Sequence, residues 1–435
     1  MSPAAATEPR LRRARAGVSA LFFVNAVLYA NLVPRLPEVK ERLALGNAAL
    51  GSAIAAMPVG ALLAGLCAPA LIQRLGSARV ASFGLIALGV AIAGVPLCGG
   101  WAVLAALMAL VGALDAVVDV AQNAHGFRVQ RAYGRSIVNA FHGLWSVGAV
   151  MGGVLGSAAA GLSLPLAGHL GGSAALFGVA ALVAYRSLLR GAEDAERVPS
   201  AASGQGAGGQ GGRGEGEGGA RRPRRLPGHA VPTLAALGAL AACGAFVEDA
   251  GSSWGALYLR GEVGAGAAAG GLAFVALQVA MTAGRLTGDR VVDRFGQRRV
   301  AAAGGAAITA GMTLALAFPS VGTTLAGFAM AGLGVATLIP AVMHTADELP
   351  GLPHGVGLTI VSWLLRVGFL ISPSVVGLVA DATSLRVALS GVVLAGLGVL
   401  ALGRVLADRA SGGETVPIES GTPAAAPTGI PQRDA

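Results

Sequence analysis

Asp115, Asp119 and Asn123 stand at i, i+4 and i+8 in the stretch LDAVVDVAQN. On a helix that spacing sets all three on one face. Two carboxylates about 6 Å apart on such a face repel, so at least one is expected to bind and release a proton near neutral pH. The opposite face, with Leu110, Val117 and Val118, is apolar. A second acidic pair, Glu248 and Asp249 in GAFVEDAGSSW, interrupts a run of alanine, glycine and large apolar residues. Consecutive helical residues point about 100° apart, so one acid can face a cavity while the other turns to a neighbouring helix. The longer reach of Glu248, and its stripe with Ser252 and Gly255, favour Glu248 for the cavity and the proton. Arg366, in VSWLLRVGFL, needs a counter-ion, and Asp115, Asp119, Glu248 and Asp249 are the candidates.

The apolar runs hold few other polar groups: Asn25, Tyr29 and Asn31; His142, Trp145 and Ser146; Thr337 and His344. Asn25, Tyr29 and Ser146 also read as helix-to-helix hydrogen-bonding groups, and His142 as either a packing histidine or a protonatable one. His125 and Arg128 read as membrane-surface residues. Arg35, Glu38, Lys40 and Glu41 read as an outer loop, and Trp254 and Tyr258 as interface-belt aromatics or, near a cavity mouth, as rings that contact substrate.

The elements that carry these residues follow from composition. The chain has 435 residues, 54% hydrophobic and only 12% charged, about half the charged share of an ordinary soluble domain. Twelve apolar runs are long enough to cross a bilayer core of about 30 Å, near 17–38, 48–72, 80–98, 101–123, 137–161, 168–189, 231–257, 266–288, 300–318, 321–343, 356–380 and 385–406. Unpaired backbone groups in lipid cost several kcal/mol, so each run is expected to be helical. A charged side chain at the bilayer centre costs at least about 2.5–3.5 kcal/mol, which points the buried acids toward a wet cavity or a partner. The basic start RLRRARAG leads into an apolar run with no clean cleavage site, so span 1 is expected to stay as an anchor. Cys67, Cys98 and Cys243 lie in apolar runs and read as small hydrophobes. Most of the 31 basic residues fall in segments that twelve spans would place in the cytoplasm, which predicts both termini cytoplasmic. The net charge of +9 then reflects topology and anionic lipid, with no compact basic domain for nucleic acid.

Residues 191–229 break the pattern. They are rich in glycine and arginine and cannot bury a core, so a disordered cytoplasmic linker is expected there. The organisation predicted is a basic N-terminus at 1–15, a six-helix bundle at 16–190, the linker at 191–229, a second bundle at 230–407 and a disordered tail at 408–435. The halves echo each other, since LIQRLGSARV at 71–80 and VVDRFGQRRV at 291–300 align without gaps at an offset of 220,. The alignment pairs Arg74, Gly76 and Arg79 with Arg294, Gly296 and Arg299, and the same offset lays Gly148 on Gly368.

The second copy, with Asp293, Arg294, Gly296, Arg298 and Arg299, resembles the D-R-x-G-x-R-R loop of the major facilitator superfamily. The first copy has Gln73 where that signature carries aspartate, and the second has Asp289 where it usually carries glycine. Twelve spans divided six and six, with a long central loop, extend the resemblance over almost the whole chain. It implies an all-α membrane fold of two six-helix bundles, in pseudo-two-fold repeat, rocking about a cavity lined chiefly by helices 1, 4, 7 and 10. The loops would act as a gate, an aspartate pairing with arginines across the interface to hold one conformation. The plainer reading is that the arginines only enforce topology. Repeated glycines such as Gly148, Gly152 and Gly156 suggest close helix packing, and ISPSVVG suggests a bend in span 11.

No phosphate-binding G-x-x-x-x-G-K-S/T loop is present, and the one lysine, Lys40, lies in VPRLPEVKERL,. Transport would therefore run on an ion or solute gradient, and buried carboxylates favour protons. The leading expectation is a monomeric, proton-coupled secondary transporter of a small organic solute in a bacterial cytoplasmic membrane, with no cofactor, metal or nucleic acid. One alternative is a transporter-like sensor that binds solute without moving it. Another is a lipid-acting enzyme built on His142 and Ser146, for which neither an orienting acid nor an oxyanion site can be named.

Overall fold

A computed structural model of the chain describes residues 3–133, 137–191, 230–349 and 356–406, and all regular structure among them is helical. Of the predicted linker only Gly191 is described; the rest of it, and the predicted tail at 408–435, lie outside the described residues. Among the described residues twelve helical segments are long and apolar enough to span a bilayer. Spans 1 to 6 run Glu8–Arg42, Asn47–Gly65, Ser77–Leu97, Trp101–Tyr133, Ala140–Gly161 and Leu166–Ser187. Spans 7 to 12 run Val231–Gly261, Ala267–Gly288, Gln297–Ala317, Val321–Asp347, Gly357–Ala382 and Leu385–Val405. The basic N-terminal stretch is itself helical, continuous with span 1 from Pro3 to Ala30. Proline marks a break in span 10. Pro340 has no N–H for the Ala336 carbonyl, and the span divides into Val321–Val335 and Leu338–Asp347.

The sequence repeat is also a structural one. The helix before each arginine loop ends on glycine, Gly76 at φ 87° and Gly296 at φ 83°, a conformation that side chains resist. Gly148 seats span 5 on span 1 against Phe23 and Ala26, and Gly368 seats span 11 on span 7 against Ala242 and Ala245. Gly152 and Gly156 continue the first seam against Val27 and Asn31, so these glycines bring backbones together.

The two halves meet at the end away from the arginine loops. There, Asp381 at the end of span 11 caps span 2 of the other half, accepting from Asn47 N and Ala48 N at 2.8 and 2.8 Å. Arg260 of span 7 pairs with Glu41 at 3.2 Å. Gly51 of span 2 lies under the Pro373 carbonyl and beside the Trp254 ring, and Phe274 of span 8 packs on Gly153 of span 5. At the opposite end Asp119 and His142 are exposed and Asn123 is half-buried, so the space between the halves is open on the arginine-loop side. Losing an N-terminal cap costs about 1 kcal/mol, so Asp381→Ala is expected to shift the balance roughly fivefold away from this closed far end. Spin-label distances between the far ends of spans 2 and 11 check this.

Two placements differ from the sequence reading. Trp254 and Tyr258 are fully buried and not interface-belt residues: Trp254 meets Gly51 of the other half, and the Tyr258 hydroxyl donates to Ala315 O at 3.3 Å. Arg35 is 1% exposed because its loop folds back into the bundle. Its guanidinium donates to Glu38 at 2.9 and 2.6 Å and to Leu164 O at 2.7 Å. It also lies 3.1 Å from His169 Nδ1. Arginine only donates, so His169 Nδ1 accepts, and its Nε2–H donates to Asn31 Oδ1 at 3.0 Å,. Glu38→Ala strands a buried cation and is expected to lower stability by about 3 kcal/mol, read as a fall in the melting midpoint in detergent.

Candidate functional site

A cavity of about 410 Å³ lies between the halves, at the small end of ligand-pocket sizes,. Spans 1 to 5 line one wall and spans 7, 8 and 11 the other. Among the described residues none of span 10 lines it, contrary to the expectation for helix 10. Thr337 packs on Gly288 of span 8 instead, where the break at Pro340 has re-aimed the helix.

The first wall holds one hydrogen-bonded chain across three helices. Trp145 Nε1 donates to Asn25 Oδ1 at 2.9 Å, and Asn25 Nδ2 donates to Asp115 Oδ1 at 2.8 Å. Asp115 therefore reaches the cavity held by an amide alone. The second wall holds Asp249, 8% exposed, whose two oxygens accept from Ser253 Oγ and Ser372 Oγ at 2.7 Å each. Both partners are neutral hydroxyls. Tyr29 stands where it feels both Asp115 and Asp249, so the two acids converge on one space from opposite halves.

Glu248 has a different setting. It lines the cavity but pairs with Arg285 of span 8 at 3.5 Å. Its supposed stripe is broken, because residues Ala250–Trp254 form a π-helical turn. The wider turn keeps Ser252 at the cavity, where its hydroxyl bonds the Glu248 carbonyl at 2.8 Å. It rotates Gly255 against Ala273 and Phe328. Such turns occur mostly as single insertions and often at functional sites.

Toward the open end a second polar chain climbs the Asp115 face. Asn123 Nδ2 donates to Asp119 Oδ1 at 3.0 Å, leaving Asn123 Oδ1 as acceptor for His142 Nε2 at 3.2 Å. The His142 proton therefore sits on Nε2. Asp119 is also the acid within electrostatic reach of Arg366, an attraction between the halves from span 4 to span 11. Ser146 bonds the His142 carbonyl at 3.2 Å and not its ring, so the two form no nucleophile and base.

The arginine loops stand apart from the cavity. Arg74, Arg79, Asp293, Arg294, Arg298 and Arg299 are exposed at the open end beside Gly76 and Gly296; Arg298 Nε bonds Leu406 O at 2.7 Å. The Asp289 side chain lies outside the described residues. His125, placed at the membrane surface by sequence, is buried against Ser77 Oγ at 2.8 Å, and Arg128 is buried against the Arg190 and Gly191 carbonyls. Both brace the helix ends, because span 4 stays helical about ten residues beyond its apolar run.

Sequence reasoning missed Arg285, Ser253, Ser372 and Gln278. Ser253 was legible as the i+4 neighbour of Asp249. Arg285 lies near the end of span 8, where a cation by itself gives no sign of a cavity role, and Ser372 and Gln278 carried no local signal.

A family model described as Major Facilitator Superfamily matches residues 234–430. The chain is 29% identical over 416 residues to the membrane protein MosC of Rhizobium meliloti, covering 94% of each chain. It is 26% identical over 385 residues to an uncharacterized MFS-type transporter of Yersinia pestis, over 88% of this chain and 94% of that one. In fold it is similar to the solved nucleoside transporter NupG, with a TM-score of 0.67 at 13% identity over 90% of this chain and 97% of that one.

Proposed function

We propose that this chain, whose similarities support membership of the major facilitator superfamily and which has twelve helices long and apolar enough to span a membrane among its described residues, carries a small organic solute by alternating access coupled to protons. The observation that carries the coupling is that Asp115 and Asp249 converge on one cavity from opposite halves with only neutral donors as partners. An acid in the membrane interior without a fixed cation has a proton as its natural counter-ion, and each protonation removes one negative charge from the wall of its own half. The halves can then part or close with different charge, which is what coupling requires.

The arginine-loop end faces the cytoplasm in this reading, with both termini on that side of a bacterial cytoplasmic membrane and the chain acting as a monomer. Basic residues concentrated at one end support the orientation,. The conformation described is then inward-facing, its outer end held by Asp381, Glu41 and the Gly51 seam.

Purified protein in proteoliposomes tests the proposal with a panel of solutes and a trapped pH dye. Saturable counterflow of at least one solute, with proton movement when that solute is driven across, is expected. Binding without counterflow would make the protein a sensor.

A further inference from the structure

The cavity groups already described have answered one another. Asp115 and Trp145 are joined through Asn25, Asp249 holds two serines, Glu248 holds Arg285, and Arg366 lies within electrostatic reach of Asp119. Two uncharged polar side chains lining the cavity are left over. The Tyr29 hydroxyl makes no hydrogen bond to any described residue, and the Gln278 amide nitrogen is buried without a partner. Gln278 itself is 4% exposed. Burying an unsatisfied amide is unfavourable, so the fold keeps this group for something that comes and goes.

The two lie on opposite walls, Tyr29 on span 1 and Gln278 on span 8. A carried solute must touch both halves, since only differential contact with the two conformations can drive the switch. The amide nitrogen can only donate, and the phenol can donate or accept. Both are uncharged. With Glu248 balanced by Arg285, Arg366 by the nearby Asp119, and Asp115 and Asp249 carrying protons in the transport reading, the lining has no net charge for a charged solute to meet.

Resting on the transport reading above, we propose that Gln278 and Tyr29 are the solute-anchoring pair, and that the solute is a small neutral molecule carrying two or more hydroxyl or carbonyl oxygens. Gln278 donates to one oxygen, and Tyr29 exchanges a hydrogen bond with another. A site built to bond an oxygen discriminates strongly against analogues that lack it, because its own polar group is then stranded.

The full-length protein tests this by calorimetric binding and counterflow on one preparation. The neutral probes are D-glucose, myo-inositol and D-mannitol; tetraphenylphosphonium and lactate are the charged ones. At least one neutral probe is expected to bind saturably. Gln278→Met and Tyr29→Phe should each weaken it about tenfold or more, while Gln278→Met holds or raises the melting midpoint because the stranded donor is gone. Equal affinity in wild type and both variants overturns the anchoring pair, as does a Gln278→Met effect seen on stability alone. Binding by charged probes only, or by none of the neutral ones, overturns the solute class. Counterflow of a charged probe would leave transport standing while this inference falls. Neutral binding that the variants weaken, but without counterflow, would keep the inference and remove the transport reading.

Discussion

Asp249→Asn and Asp115→Asn are each expected to abolish uphill, proton-driven transport while leaving solute counterflow within about threefold of wild type. Counterflow needs the loaded carrier to cross, whereas uphill transport needs a proton to be picked up on one side and released on the other. Asparagine keeps the shape and the local bonds. At 249 its carbonyl oxygen accepts from one serine and its amide donates to the other in place of the carboxylate's two acceptances at 2.7 Å. The fold is therefore retained and the exchangeable proton is lost. Glu248→Gln is expected to act differently, through the Arg285 pair. It frees a half-buried guanidinium beside the cavity, lowering apparent solute affinity and stability without erasing coupling. This reverses the roles that sequence alone favours for the two acids. Side-chain length suggests Glu248, but the partner decides, and Glu248 has a cation where Asp249 has hydroxyls. Proton flux and counterflow measured side by side on the three variants separate these outcomes. Loss of uphill transport in Glu248→Gln alone would restore the sequence-based assignment.

Gly51→Ala is expected to arrest the cycle in the outward-open form, lowering transport at least tenfold. A methyl on Gly51 would strike the Pro373 carbonyl of span 11, which is backbone and cannot swing aside, and would also crowd the Trp254 ring at 3.1 Å. Gly377→Ala meets the Asn47 carbonyl in the same seam. These collisions exist only while the outer end is closed, because spans 2 and 11 belong to different halves. Gly152→Ala is the control: its methyl would strike the Ala30 side chain and Val27 backbone within the first half, so it should lower stability without favouring either conformation. Spin-label distances across the outer end are expected to lengthen for Gly51→Ala and Gly377→Ala and to stay unchanged for Gly152→Ala.

Much of the architecture was legible because membrane physics leaves few choices. Apolar runs of about 20 residues must be helices, and the offset of 220 between LIQRLGSARV and VVDRFGQRRV reappears as two glycines at φ 87° and 83°. The i, i+4, i+8 face of Asp115, Asp119 and Asn123 is real, since helical spacing alone sets it. What stayed hidden depends on contacts between distant segments. The π-helical turn at Ala250–Trp254 shifts every residue after Asp249 off the 100° wheel, so the Glu248, Ser252, Gly255 stripe failed at its last member. Arg366 lies within electrostatic reach of Asp119 and lines the cavity with the other three acids, four candidates that sequence could not rank. Arg35 and His169 lie 134 residues apart, and nothing local announces that a loop folds inward to join them. Thr337 left the cavity because a proline three residues later bends its helix.

The central claim is that the proton is carried by acids with neutral partners on both walls of one cavity. The most direct measurement is solute-driven proton flux in proteoliposomes for the double variant Asp115→Asn, Asp249→Asn beside wild type. Solute addition is expected to change the lumenal pH of wild-type vesicles and to leave that of the double variant flat while counterflow continues. Proton flux of equal size in the double variant, or solute transport in wild type with no proton movement, would contradict the account.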